Sequence, residues 1–214
     1  GRFNPANSVA LTCAFFVYPL QLTAATYYTY VRVASGSVGN DAWGIQRDGS
    51  NTFFSVFYST GLAYFSVAAI APSVNTWYMV MGTWFNTGAT PTIEIRVYGP
   101  SGSLTDTTNT GVGFINTAST APLTIGASGG LTAQARIDKV GLWNRAFSGA
   151  EATALWNGGA GLRGQDIAGA GLETSWIYWW DLDEGTGKPT WPGFLGGASL
   201  TATGVVTRQP RAGT

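Results

Sequence analysis

The sequence predicts an all-β domain, a two-sheet antiparallel jelly-roll sandwich with one short helix near 148–157. Three observations carry this expectation. Short apolar runs alternate with Gly-, Ser-, Thr- and Asn-rich breaks along most of the 214 residues, the pattern of brief strands joined by tight turns. Aromatic residues make up 14% and charged residues only 10%, with 30 glycines, a composition that suits facing sheets rather than helices or disorder. Only one stretch, Ala135–Gly159, carries a complete set of helix signals.

Taken in order, residues 8–18 alternate well enough for a core strand ending at Pro19. In 27–34, Val31 and Val33 face one side and Tyr28, Tyr30 and Arg32 the other, which predicts an aromatic row away from the core. Strands at 42–48, 52–58 and 62–70 are separated by Asp48-Gly49-Ser50-Asn51 and Ser59-Thr60-Gly61, giving a meander of hairpins. Residues 76–85 are apolar in both phases, with Trp77, Met79 and Met81 opposite Tyr78, Val80 and Trp84, so this strand is central and covered on both faces. Residues 92–98 place Ile93, Ile95 and Val97 inward, with Thr92, Glu94, Arg96 and Tyr98 on a wet outer face. The polar stretch 99–121 reads as a long loop with one weak strand around 112–116, before a strand returns at 122–127.

In Ala135–Gly159, Ile137, Val140 and Leu142 are apolar, but the step of three between the first two breaks the period of a flat strand and implies a bulge near Asp138-Lys139. Ser148 and Glu151 form a capping box, Phe147 and Ala152 occupy staple positions, and Gly158-Gly159 supplies the stop. Residues 160–174 form a glycine-rich connector without the lysine pattern of a phosphate loop. The strand at 175–184 is the densest in aromatics, with Trp176, Tyr178, Trp180 and Leu182 on one face and Ile177, Trp179, Asp181 and Asp183 on the other.

The motif I-D-K-V-G-L-W-N-R-A-F-S-x-x-E-x-x-x-L-W-N-G-G at 137–159 resembles the closing signature of laminin-G-like domains of the concanavalin A-like lectin/glucanase superfamily. N-T-W-Y-M-V-M-G-T-W-F at 75–85, I-E-I-R-V-Y-G at 93–99 and P-L-T-I-G-A at 122–127 occur in the order such domains use. The resemblance implies a concanavalin A-like sandwich over 1–159. It leaves activity open, because the superfamily holds glycan binders, protein binders, glycosidases and structural modules. Y-W-W-D-L-D-E-G-T-G at 178–187 resembles the strand that usually begins such a domain, yet here it follows the helix. Residues 175–214 therefore complete the chain's own sheet, as in a circular permutant, or belong to a tandem array, or fill the sheet of a neighbouring subunit. In the last case Trp176, Tyr178, Trp180 and Leu182 carry the assembly contact.

Several kinds of chemistry are excluded or narrowed. Without histidine, imidazole catalysis and His-ligated metals are absent. Lys+Arg and Asp+Glu are 11 each with no basic block, so nucleic acid is not an expected partner. The sole cysteine, Cys13, allows no intrachain disulfide and alternates with core residues as a small buried hydrophobe. No signal peptide or long apolar run is seen, so no membrane span is expected, and the start on Gly1 reads as a processed piece or a fragment. Asp181, Asp183 and Glu184 resemble the acidic strand of laminarinase-type glucanases, but the first glutamate of that pattern is missing, so glycoside hydrolysis is a remote alternative. Calcium stays open through family habit, with Asp41, Asp48, Asp106, Asp138 and Asp166 as available ligands. No other cofactor is expected.

Sugar binding needs an aromatic face with amides or carboxylates beside it. Asn40, Asp41, Trp43, Asn51, Tyr64, Trp84 and Asn86, with Tyr58 nearby, supply those groups. The expected function is a non-enzymatic lectin-like module on an extracellular, cell or virion surface, binding glycans or other surface proteins and able to self-associate through its C-terminal strands. A purely structural block of a filament or virion appendage, joined by strand donation, is the alternative.

Overall fold

The computed structural model describes residues 10–22, 28–33, 42–47, 53–59, 62–68, 70–86, 91–109, 121–128, 131–132, 134–182, 190–192 and 199–201. The strands are β1 (Ala10–Pro19), β2 (Tyr28–Val33), β3 (Trp43–Arg47), β4 (Phe53–Ser59), β5 (Leu62–Ala68), β6 (Tyr78–Asn86), β7 (Pro91–Gly99) and β8 (Gly102–Asn109). They continue with β9 (Leu123–Ile125), β10 (Ala127–Ser128), β11 (Leu131–Thr132) and β12 (Ala135–Trp143). After helices α1 (Gly149–Trp156) and α2 (Gly164–Ile167) come β13 (Trp176–Trp180), β14 (Thr190–Pro192) and β15 (Ser199–Thr201). One large sheet has six strands in the order β13-β12-β1-β6-β7-β8, the second has seven, β10-β11-β2-β3-β4-β5 with β9 also on β2, and β14 and β15 form a separate two-stranded sheet. The expected two-sheet sandwich is therefore the fold.

The inner faces meet through Leu11, Cys13, Phe15 and Val17 of β1, Val80 and Trp84 of β6 and Ile93, Ile95 and Val97 of β7, packed on Val31, Val33, Trp43, Ile45 and Phe53. Gly82 marks the closest approach: a Cβ there would lie 2.9 Å from Ile45 Cδ1, so the facing isoleucine occupies the space a side chain would need. Cys13 is fully buried in this layer, and its burial pushes the thiol well above the ordinary range.

The six-stranded sheet has a second apolar layer on its outer face. Ala14, Phe16, Met79, Met81, Tyr98, Trp143 and Trp179 gather under Phe147, Ala152 and Leu155 of the α1 region and Ile167 and Leu172 of the segment that follows. This explains why β6 reads as apolar in both phases, and β1, read as an alternating core strand, is likewise covered on both faces.

Four local expectations are corrected. Tyr28 and Tyr30 do not form an outward row, because the pairing register of β2 shifts between Thr29 and Val31. The bulge returns Tyr30 to the core beside Val31, at 2% exposure, while Tyr28 lies buried under the Arg47 guanidinium, 4.4 Å from its ring centroid. The outer face of β7 is not wet: Tyr98 is buried under α1, its hydroxyl 3.5 Å from the Gly149 carbonyl and 3.4 Å from Thr153 Oγ1. Beside it Glu94 and Arg96 pair at 2.6 Å, both half-buried. The stretch 99–121 is not all loop, since Gly99 and Gly102 pair across Pro100-Ser101 and start β8, whose threonines suit an edge strand. The weak strand expected at 112–116 lies outside the described residues.

The fourth correction concerns the connector. Residues 157–175 hold a 3-10 turn (Asn157–Gly159) and the single helical turn α2, folded against the sheet rather than strung between elements. Gly161, at φ +64°, faces Phe16 and Lys139, where a Cβ would approach their side chains to 2.6 and 2.9 Å. Glycine here permits both the backbone turn and the close approach. The bulge expected in β12 is present, with Lys139 at φ +51° and the register with β1 shifting between Ala14 and Phe16. The capping box is also present, although Asn157 already takes the left-handed position that ends α1, one residue before the glycines.

Two measurements test this packing. Gly141 faces the outer layer, where an added Cβ would meet Trp143 and would lie 2.6 Å from Trp179 Cε3. Gly141→Ala should therefore lower unfolding stability in urea by about 1–3 kcal/mol through overpacking. The Tyr30 phenol is pushed up to about 12, first by burial, with Arg47 opposing and Tyr28 adding. A raised folded pKa contributes stability below the unfolded phenol value and loses it above. Melting temperature should fall as pH rises from about 10 toward 12, and Tyr30→Phe should flatten that decline.

Candidate functional site

The residues nominated for sugar binding divide into three groups. Asn40, Asp41 and Asn51 lie outside the described residues. Tyr58, Tyr64 and Asn86 are placed by backbone alone, opposite Ala63, Phe57 and Pro91. Trp43 and Trp84 are brought together, but as core: they are 0% and 2% exposed, with ring centroids 5.1 Å apart across the gap between the sheets. Neither ring offers a face to a saccharide. The reading of these two as stacking platforms is corrected, because strand alternation does not say which aromatic phase faces the opposing sheet.

The aromatics nominated for assembly lie in β13, which pairs antiparallel with β12 of the same chain, from Val140 opposite Trp180 to Leu142 opposite Tyr178. Tyr178 and Trp180 enter the inter-sheet core and stack at 5.3 Å. Trp176 does not share their face. A register shift between Leu142 and Trp143 turns it to the outer layer, edge-on to Trp179 at 6.3 Å. Leu182 has φ +53° and packs partly buried against the inner core.

Asp181, beyond β13, is the most connected carboxylate of this region. Trp179 Nε1 donates to one oxygen at 2.9 Å and the Gly164 amide to the other at 3.3 Å, while Lys139 Nζ lies 3.6 Å away. One carboxylate thus ties β13, the bulge of β12 and the start of α2. Asp183 and Glu184, its neighbours in the acidic motif, lie outside the described residues.

Arg145 organises the other end of the covering layer. Its guanidinium pairs with Glu151 at 2.7 Å, its Nε donates to the Thr174 carbonyl at 2.9 Å, and its plane lies 4.3 Å from the Phe147 centroid. The Arg145 carbonyl accepts from Thr12 Oγ1 at 2.6 Å, fixing the loop to the sheet. Glu151 accepts from the Ser148 amide at 2.7 Å and Ser148 Oγ accepts from the Glu151 amide. Burial opposes ionisation of Glu151, but the hydrogen bonds from Ser148 and Arg145 and the Arg145 charge outweigh it and hold the carboxyl below its ordinary value.

Of the carboxylates considered for calcium, Asp41 and Asp48 lie outside the described residues. Asp106 is on β8, Asp138 is in the β12 bulge and 9% exposed, and Asp166 is exposed on α2, so these three stand on separate elements. Among the described residues no three acidic, Cys or His side chains come together.

One group escaped the sequence reading. Tyr18, Trp77 and Arg136, each half-buried, meet on the outer face of the six-stranded sheet, with Tyr18 and Trp77 centroids 5.3 Å apart and the Arg136 guanidinium 4.8 Å over Tyr18. The signal was present, since Tyr18 and Trp77 continue the outward phases of β1 and β6. What alternation lacked was where the covering layer stops.

The family model Laminin_G_3, described as the concanavalin A-like lectin/glucanases superfamily, matches residues 2–153. Among solved structures, full-length tailspike protein 2 from an Escherichia coli O157:H7 bacteriophage is similar at a TM-score of 0.52 and 12% identity, over 84% of this chain and 24% of that one. The enzymatically active domain of bacteriophage CBA120 tailspike protein 2 gives a TM-score of 0.50 at 13% identity, over 67% and 23%. A heptameric SAP-like pentraxin from Limulus polyphemus gives 0.42 at 11% identity, over 66% of each chain. At such identities the likeness speaks for the fold alone, and this chain spans only 23–24% of the length of the tailspike chains. Comparison with curated protein sequences found no match.

The capping network has a measurable signature. Ser148→Ala should cost about 1 kcal/mol of unfolding stability. Because the folded carboxyl of Glu151 titrates below its ordinary value of 4.5, its contribution is present above that pH and lost as pH falls through the folded value. Glu151→Gln should therefore narrow its stability gap to the parent protein as urea titrations are moved to more acidic pH.

Proposed function

Because the chain belongs to the concanavalin A-like lectin/glucanases superfamily, we propose that it is a non-enzymatic, lectin-like module of an outer surface, that of a cell or a virion. It holds carbohydrate, neighbouring surface proteins or both. The observation that carries this reading is the commitment of three of the described carboxylates to structural roles. Glycosidic cleavage of the usual kind needs two carboxyl groups facing one sugar. Here Glu94 is paired with Arg96, Glu151 closes the helix cap, and Asp181 joins β13, the β12 bulge and α2. The chain also has no histidine to serve as base or metal ligand. The virion setting is supported by a fold shared with a bacteriophage tailspike, and by a net charge of zero with few charges, which leaves little repulsion between packed copies.

A purely structural reading, with copies joined by exchange of C-terminal strands, is favoured by one feature. β13 is an edge strand of five residues, and among the described strands it pairs only with β12. The same pairing formed with β12 of a second copy would leave the ladder unchanged.

Incubation with oligosaccharides retained on a glycan array should release no new reducing ends, while binding persists. Steady release proportional to protein concentration would overturn the non-enzymatic reading. Light scattering across a concentration series separates the two roles: a strict monomer retaining glycan binding supports the lectin role, and concentration-dependent oligomers that Trp180→Ala disrupts support strand exchange.

A further inference from the structure

The covering layer on the six-stranded sheet ends at a defined rung. It is fixed over Thr12 by the Arg145 carbonyl, over Phe16 by the stacked Trp156 ring, and over Lys139 by the close approach of Gly161. The next outward positions on the same three strands are Tyr18 on β1, Arg136 on β12 and Trp77 at the start of β6. Tyr18 stands opposite Arg136 in the ladder, and Val17 opposite Tyr78 sets Trp77 alongside. These three side chains form the next rung, each partly buried and in contact, with Tyr18 between the indole and the guanidinium.

The far side of the rung is bounded as well. The Asn75 amide donates to the Pro19 carbonyl at 2.8 Å and the Leu20 amide to the Gln134 carbonyl at 2.9 Å. These bonds bring the 71–77 turn, the end of β1 and the approach to β12 together. Leu20 and Val74, at 47% and 42%, are the exposed large hydrophobic side chains among the described residues, and both stand at this edge. Gln21 and Gln134 are exposed beside them. The result is a shelf three strands broad, roughly 10 Å between the outer two, with the covering layer at one end and the exposed Leu20 and Val74 near the other.

We propose that this shelf is a saccharide-binding platform, distinct from the Trp43–Trp84 region that the sequence nominated. Its occupant is a pyranose ring of an oligosaccharide, laid with its apolar face on Trp77. The guanidinium of Arg136, held in place over Tyr18, donates hydrogen bonds to ring substituents, and the carboxamides of Gln21 and Gln134 are in place for outer hydroxyls. A partly exposed indole beside a fixed planar donor is the chemistry that sugar recognition uses. Trp77 itself packs, partly buried, against the outer apolar layer, as Trp156 and Trp176 do. This inference rests on the carbohydrate arm of the proposed function and names its site.

The test uses the whole chain. An array of hexose and hexosamine oligosaccharides identifies a bound sugar, and calorimetry with that oligosaccharide compares the parent with Trp77→Ala, Trp77→Phe and Arg136→Gln. Trp77→Ala and Arg136→Gln should each weaken binding at least about tenfold, as removal of a central aromatic or arginine anchor does. Trp77→Phe should retain part of it, and all variants should keep a cooperative thermal melt. Should Trp77→Ala not fold, Trp77→Phe and Arg136→Gln carry the comparison. Undiminished binding by the substituted proteins would overturn the platform and leave the lectin reading standing. A parent that binds no saccharide on the array would remove the platform and the carbohydrate arm together. Variants that lose self-association in light scattering while sugar binding is unchanged would show the shelf to be a protein contact and overturn the proposal.

Discussion

Every side chain of β1 from Leu11 to Val17 is buried, so the six-stranded sheet needs an apolar cover on both faces. The inner face has an obvious partner in the second sheet. The outer face does not, and the chain after β12 is shaped by that need. Phe147 and the buried side of α1 cover one part of it; Leu155, Ile167 and Leu172 extend the cover. Burial of side chains of this size contributes about 1.5–3 kcal/mol each, far more than the few hydrogen bonds a short helix makes for itself. An eight-residue helix would not persist alone. Its stability comes from the sheet beneath it.

Polar contacts then decide where this cover sits. Trp143 fills the outer layer and donates its indole N–H to the Leu172 carbonyl at 2.9 Å, so one ring both packs under the segment and pins it. Arg145 holds the loop before α1, the helix cap and Thr174, while Asp181 holds the start of α2 and the bulge of β12. Both charged residues spend their valence on holding the chain in place.

The sandwich, its central strands and the capping box were legible because each rests on local periodicity or on a short motif. What was not legible depended on a neighbour distant in sequence. Tyr30 turned inward because of a one-residue bulge opposite β3, and Trp176 turned outward because of a register shift against β12. β8 was hidden by its threonines and glycines, which resemble loop composition until Gly99 and Gly102 pair. The connector looked like a linker because glycine frequency cannot distinguish a flexible tether from backbone that must pass close to Phe16. For the site, Trp43 and Trp84 show that residue type alone does not choose between core and surface.

The family match ends at residue 153, inside α1. Leu155, Ile167, Leu172 and Trp179, all at most 1% exposed, lie beyond that limit, and β13 with them. The matched segment is therefore shorter than the length of chain that closes the outer layer. Any recombination event that moved the matched segment alone into another protein would carry a sheet stripped of half its outer cover, with Phe16, Met79 and Trp143 laid bare. A piece ending there would lack the residues that close the layer, so the glycine-rich stretch, poor in motif, belongs to the smallest length that can fold with its outer face covered.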